Sequence, residues 1–124
     1  MMQLSEKWRN EKYQVSVSYI SDGTREIRPP MPASMEMPSY PIGLASLDVA
    51  SYVILSFLVA KDGSIHDLRI EDAPILEFAD AAKDAVGKWH CIPASDRHDH
   101  TKIYEMRMKC RFDFTTIDGP IQYK

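Results

Sequence analysis

Two groupings in this sequence combine residue types able to do chemistry. His98-Asp99-His100 is a His-x-His pair, and His90-Cys91 stand a few residues upstream. Imidazole nitrogens and a thiolate are preferred zinc ligands, so the cluster defines a metal hypothesis. The second grouping is nucleophilic, with Cys91 directly beside His90. Adjacent residues of an extended chain point to opposite sides, so this pair has the right types at the wrong spacing. The five glycines are scattered and form no phosphate cradle. Asp80 and Asp84 share a helix face, but it is the charged, wet one. No catalytic constellation assembles, and the sequence reads as a non-enzyme with no cofactor.

Two further cysteine readings stay open. Cys91 and Cys110 are the only cysteines. They are either one bridge in an oxidising compartment or two small buried hydrophobes, and the second is the expectation.

The elements that position these residues follow from periodicity. Lys102–Phe114 alternates most regularly. Tyr104, Met106, Met108, Cys110, Phe112 and Phe114 face one way, and Glu105, Arg107, Lys109, Arg111 and Asp113 the other. Val49–Ala60 reads as the central strand. Lys61-Asp62-Gly63-Ser64 is its hairpin turn, and Ile65–Asp72 the returning strand. Phe78, Ala82, Ala85, Val86 and Trp89 form a helical stripe, with Pro74 suited to the first turn and Pro93 as the stop. Ala94–Thr101 is a polar loop. Tyr13–Ile20 alternates Tyr13, Val15, Val17 and Tyr19 against Gln14, Ser16 and Ser18, a half-buried strand. Asp22-Gly23 turns it into a short return over Thr24–Arg28. Pro29–Pro41 holds five of the eight prolines and reads as an extended surface connector. Ile42–Leu47 is a short helix or turn, and Asp118-Gly119-Pro120 turns the tail.

The expected fold class is α+β: a three-stranded antiparallel sheet with a crossover helix on one face, in ββαβ order, plus an N-terminal strand or hairpin. Val49–Ala60 is central, and Lys102–Phe114 and Ile65–Asp72 are edges. Phe57, Val59, Leu68, Phe78, Trp89, Met108 and Phe112 form the expected core.

Composition bounds the rest. A chain of 124 residues is one domain's worth and large enough for its own core. Net charge is 15 − 18 = −3, which leaves no basic footprint for nucleic acid. No run of about 18 apolar residues occurs, so no membrane insertion by this chain is expected. Residues 1–13 are too charged for a signal-peptide core. The chain is therefore cytosolic, or a targeting or anchor segment has been removed.

An ordered series of residues resembles the C-terminal domain of TonB, the periplasmic energy-transducer family. Tyr40-Pro41 precedes the first core strand. Val53, Leu55, Phe57 and Val59 alternate along it, and Asp62-Gly63 turns. Ile65, Asp67, Leu68 and Ile70 fit the second strand. Ala81-Ala82, Ala85-Val86, Trp89 and Pro93-Ala94 fit the helix and its exit. Departures are Ser51 for a frequent Gly, Cys91 for an aromatic, and Glu71-Asp72-Ala73 ahead of the helix. The resemblance divides the chain into residues 1–37, strand or hairpin plus connector, and residues 38–124, the TonB-like domain. It places His98–His100 in a loop between helix and strand, so a solvated loop and no metal are expected there.

The resemblance implies binding of a protein partner by strand addition. An extended segment, of an outer-membrane receptor in this family, pairs with the edge at the last strand: backbone bonds supply affinity and alternate side chains specificity. The corresponding residues are Lys102, Tyr104, Glu105, Arg107, Lys109 and Arg111. The outward set Lys102, Arg107, Lys109, Arg111 against Glu105 and Asp113 is net +2. Residues 62–84 carry seven acids and two bases, or −5. The implied role is energy-coupled transport across the outer membrane, in the periplasm, as a monomer or strand-swapped dimer. The alternative is a free-standing soluble adaptor or inhibitor that reuses the fold, cytoplasmic if Met1 is the true start. The N-terminal strand needs a sheet to dock on. The expectation is that it leaves the edge at Lys102–Phe114 at least partly open.

Overall fold

The computed structural model describes residues 2–9, 13–21, 26–41 and 49–116. The chain is α+β. Its strands are β1 (Met2–Arg9), β2 (Tyr13–Ser21), β3 (Ile27–Arg28), β4 (Met31–Ser34), β5 (Ser51–Val59) and β6 (Ile65–Asp72). Helix α1 (Leu76–Val86) follows, then β7 (His90–Ile92), β8 (Ala94–Asp96), β9 (Ile103–Tyr104) and β10 (Met106–Thr116).

The main sheet has five strands in the order β1-β2-β10-β5-β6, all neighbours antiparallel. β5 stands between β6 and β10, and α1 packs against β5 and β6. The three-stranded expectation is corrected, because both N-terminal strands join the same sheet. β2 explains why. Its backbone needs ladder partners, and its apolar face needs a core. Val15, Val17 and Tyr19 are buried with Phe112, Phe114, Phe57, Phe78 and Trp89 in one cluster. Leu68 packs half-buried against that cluster.

The hairpin turn after β5 is built on Gly63. Gly63 N–H donates to Ala60 O at 2.9 Å, and Ala60 N–H to Ser64 O at 3.0 Å. Gly63 has φ +88°, a left-handed conformation. A Cβ there would lie 2.2 Å from Cys91 O, while Cys91 N–H donates to Gly63 O at 2.9 Å. This close approach ties the turn to β7.

Four expectations change. The helix stops at Val86 rather than running to Pro93, with Gly87 N–H bonded to Lys83 O, and Pro93 falls between β7 and β8. Lys102–Phe114 is two strands, broken at Glu105, because Ile103–Tyr104 pairs with β8 in a separate sheet; Tyr104 is exposed rather than in the core. Ile27–Arg28 pairs with β8, not back on β2. The Pro-rich connector is no surface run. β4 pairs with β7, Pro38 and Tyr40 are fully buried, and Trp89 Nε1 donates to Glu36 O at 2.8 Å. Proline's missing N–H does not prevent burial where a neighbouring aromatic fills the space. The expected turns at Asp22-Gly23, Ile42–Leu47 and Asp118–Pro120 lie outside the described residues.

Candidate functional site

β10 is held between two strands. On one side Met106–Phe114 pairs with β5, from Met106↔Val59 to Phe114↔Ser51. On the other, Lys109–Thr116 pairs with β2, from Lys109↔Ile20 to Thr116↔Tyr13. The expected edge is therefore covered from Lys109 onward, and the partly open reading holds only for Met106–Met108, which have no partner on that side among the described residues. The strap at 29–41 is anchored at β7 and Trp89, and β2 ahead of it reaches β10.

The six residues singled out in sequence do not share one edge. Lys109 and Arg111 lie where β10 has partners on both sides. Arg107 lies before β2 begins and pairs with Leu58 alone among the described residues. Glu105 is the break between β9 and β10. Tyr104 pairs with Ala94 in the three-stranded sheet β3-β8-β9. Lys102 closes the preceding turn, its N–H donating to Asp99 O at 3.0 Å and its carbonyl accepting from Asp96 N–H at 2.9 Å.

The sheet face away from the helix is polar and internally paired. Arg107 Nη1 donates to Ser56 Oγ at 2.9 Å and to Asp67 O at 3.2 Å, and Nη2 meets the Asp67 carboxylate. Ser56 is fully buried and donates to Glu71 Oε2 at 2.7 Å. Arg69 also bridges to Asp67, at 2.7 Å. Beside this cluster the Arg111 guanidinium lies 4.4 Å over the Tyr52 ring, and Tyr52 donates to Asp72 Oδ2 at 2.7 Å. That bond raises the Tyr52 phenol above its ordinary range. Arg111 also pairs with Asp113 at 3.0 Å. This arrangement neutralises the strand's net charge locally.

Asp67 and Ser56 escaped the sequence reading. Asp67 has φ +48° and sits at a register shift between β5 and β6, with a second shift beside Ile54. A left-handed Asp in a strand leaves no periodic signal. Ser56 did leave one, a hydroxyl within the apolar run Val53–Val59.

Beneath the sheet, Trp89 is the hub. It makes edge-on ring contacts with Tyr19 (6.0 Å), Phe57 (6.0 Å) and Phe112 (5.8 Å). Tyr40 packs edge-on against Phe78 at 5.2 Å and hydrogen-bonds Val49 O. Tyr19 also donates to the Met35 sulfur, so β2 grips the strap as well as the core.

The family model for the Gram-negative bacterial TonB protein C-terminal matches residues 36–116. The chain belongs to this family. A solution NMR structure of the Pseudomonas aeruginosa TonB C-terminal domain has the same fold. It covers 82% of this chain and 95% of its own, with a TM-score of 0.50 and 18% identity. No curated protein sequence matches. The family match begins at residue 36, so β1 to β4 all lie ahead of it. In this TonB-type domain, Tyr40, the β5–β6 hairpin, α1 and Trp89 fall inside the match, and the strand that covers β10 falls outside.

The other chemistry-bearing residues are dispersed. Among the described residues no three His, Cys, Asp or Glu side chains group as metal ligands. His98 is exposed and faces Glu26 at 3.4 Å. Asp96 accepts the His98 and Asp99 N–H groups, and Asp99 accepts from Thr101, which lowers its carboxyl below the usual range. Cys91 and Cys110 are free, buried thiols. Burial pushes Cys91 up to about 11 and raises Cys110 further. Neither is a ready nucleophile. No helix among the described residues is long and apolar enough to cross a membrane.

Proposed function

We propose that this TonB-type domain is a non-enzymatic protein-binding domain that recognises an extended partner segment by strand addition along β10. The role is energy-coupled transport across the outer membrane, with the domain in the periplasm. The observation that supports it is the β2–β10 pairing. The flank of β10 takes an added antiparallel strand from outside the family-matched region, in an eight-residue register with alternate side chains buried. That is the physics of strand addition, realised within the chain. Arg107, Lys109 and Arg111 on β10 are proposed as partner-facing residues, with Lys102, Tyr104 and Glu105 proposed as contacts just ahead of the strand. Residues 1–37 are proposed as an appended unit and 38–124 as the binding domain. Exchange of β2 between two copies gives a strand-swapped dimer, and retention gives a monomer.

The same covered flank favours a second reading, a soluble adaptor or inhibitor with a dedicated protein partner. The test is a titration of the isotope-labelled full chain with a synthetic peptide of an outer-membrane receptor's extended segment. With the peptide in the millimolar range needed to compete with a tethered strand, strand addition predicts shifted amides between residues 102 and 116 and loss of protection in residues 13–21. Shifts confined to β6 or to α1 would contradict it.

A further inference from the structure

We propose that β2 is an internal occupant of the partner's place on β10, and that a partner must match its side-chain pattern to displace it. The inference rests on the strand-addition reading above and adds who holds the site and what can take it. Three observations carry it. The pairing Lys109–Thr116 with Ile20–Tyr13 uses the flank of β10 that β5 leaves open. Val15 and Val17 are fully buried and Tyr19 nearly so, next to Phe112, Phe114 and Trp89. The alternate residues Gln14, Ser16 and Ser18 are half-exposed, with Ser18 opposite Arg111 and Ser16 opposite Asp113.

These facts define the partner's chemistry. A segment that removes β2 without refilling the places of Val15, Val17 and Tyr19 leaves cavities beside the ring cluster. The fitting partner is an extended peptide with β-branched or aromatic residues at every second position, the last large enough to reach Trp89. Its intervening residues are short and polar, and an acid opposite Arg111 improves on Ser18. A covalently tethered strand also has a local concentration in the millimolar range. A free peptide of equal fit therefore loses to β2, and the intact chain is self-blocked.

The test uses the full chain and a Val17→Asp variant, which places a charge in the buried face of β2. The probe is a synthetic peptide of residues 13–21. A control peptide has its apolar and polar positions interchanged. The variant should bind the probe about tenfold or more tighter than the wild type, since apparent affinity scales with the open fraction. The control should bind neither. Equal affinity for both chains overturns the inference and leaves strand addition standing. Binding to neither chain, with the β5–β10 amides of the variant still protected, overturns both. If the variant does not fold, hydrogen exchange on the wild type decides. The amides joining β2 to β10 should exchange through an opening that spares those joining β5 to β10. Exchange of both sets only through global unfolding overturns the proposal.

Discussion

The two flanks of the β10-β5 pair are closed by different means. On the β6 side the edge is irregular. Two register shifts break its ladder, Asp67 takes a left-handed conformation, and Asp67, Glu71 and Asp72 point outward. Bulges and charges of this kind blunt an edge against further pairing. On the β10 side the ladder is regular for eight residues and carries a buried apolar face. β10 also carries outward charges, Arg107, Lys109, Arg111 and Asp113, but its ladders have no bulge, and the chain supplies a strand there. Each side chain that β2 buries is worth about 1.5–3 kcal/mol, so β2 is no loose flap. The contrast is between a regular flank that accepts a strand and an irregular one whose outer strand pairs with β5 alone among the described residues.

Substitutions break this comparison in graded ways. Trp89 contacts rings from β2, β5 and β10, so Trp89→Ala should lower stability by about 3–5 kcal/mol and loosen both flanks together. A thermal melt matching the wild type would remove Trp89 from its hub position. Val17→Ala empties space only under β2, and a cost of about 2 kcal/mol is expected in denaturant titration. It should raise exchange of the β2–β10 amides without touching the β5–β6 amides.

Alkaline pH tests the buried thiols between the flanks. Cys91 titrates near 11 in the fold against 9.0 for an ordinary thiol. The raised value means that its contribution is complete below about pH 9 and is lost as pH climbs toward 11, because the unfolded chain releases its proton first. The denaturation midpoint should fall over that window. It should do so less in a chain with both Cys91→Ala and Cys110→Ala. The smallest effect belongs to Asp67→Asn. The pair with Arg107 is half-exposed, and Asn tolerates the left-handed conformation, so a loss under about 1 kcal/mol is expected from chemical denaturation. That change should weaken β6 amides and leave β2 unaffected.

What was legible in the sequence follows the same division. The alternation of β5 and the Asp62-Gly63 turn are local patterns that became the elements expected, and the α1 stripe became a helix that stops at Val86, short of Trp89. β2 was legible as a strand with a buried face, since alternation requires only a sheet somewhere. Its docking flank was not, because pairing between residues 13–21 and 109–116 is a long-range choice that no local pattern encodes. The strap was misjudged for a similar reason. Prolines signal extended backbone, but Tyr40 is buried against Phe78 and the strap is tied at Glu36 by Trp89, and both partners arrive much later in the chain. Strand β1 alternates Met2, Leu4 and Trp8 against Gln3, Ser5, Lys7 and Arg9, a short signal interrupted by Glu6 and passed over; the Glu105 break and the left-handed Asp67 gave none. The candidate site was half legible: the family resemblance singled out β10 and missed that the chain itself pairs along it.

The central claim, that β2 fills the flank of β10, is tested most directly by cross-strand nuclear Overhauser contacts in the labelled full chain. The account predicts contacts between Val17 and Phe112, between Tyr19 and Cys110, and between Val15 and Phe114, in the antiparallel register. It also predicts slow exchange for the β10 amides that face away from β5. Rapid exchange of those amides, together with the absence of any contact between residues 13–21 and 109–116, would contradict it.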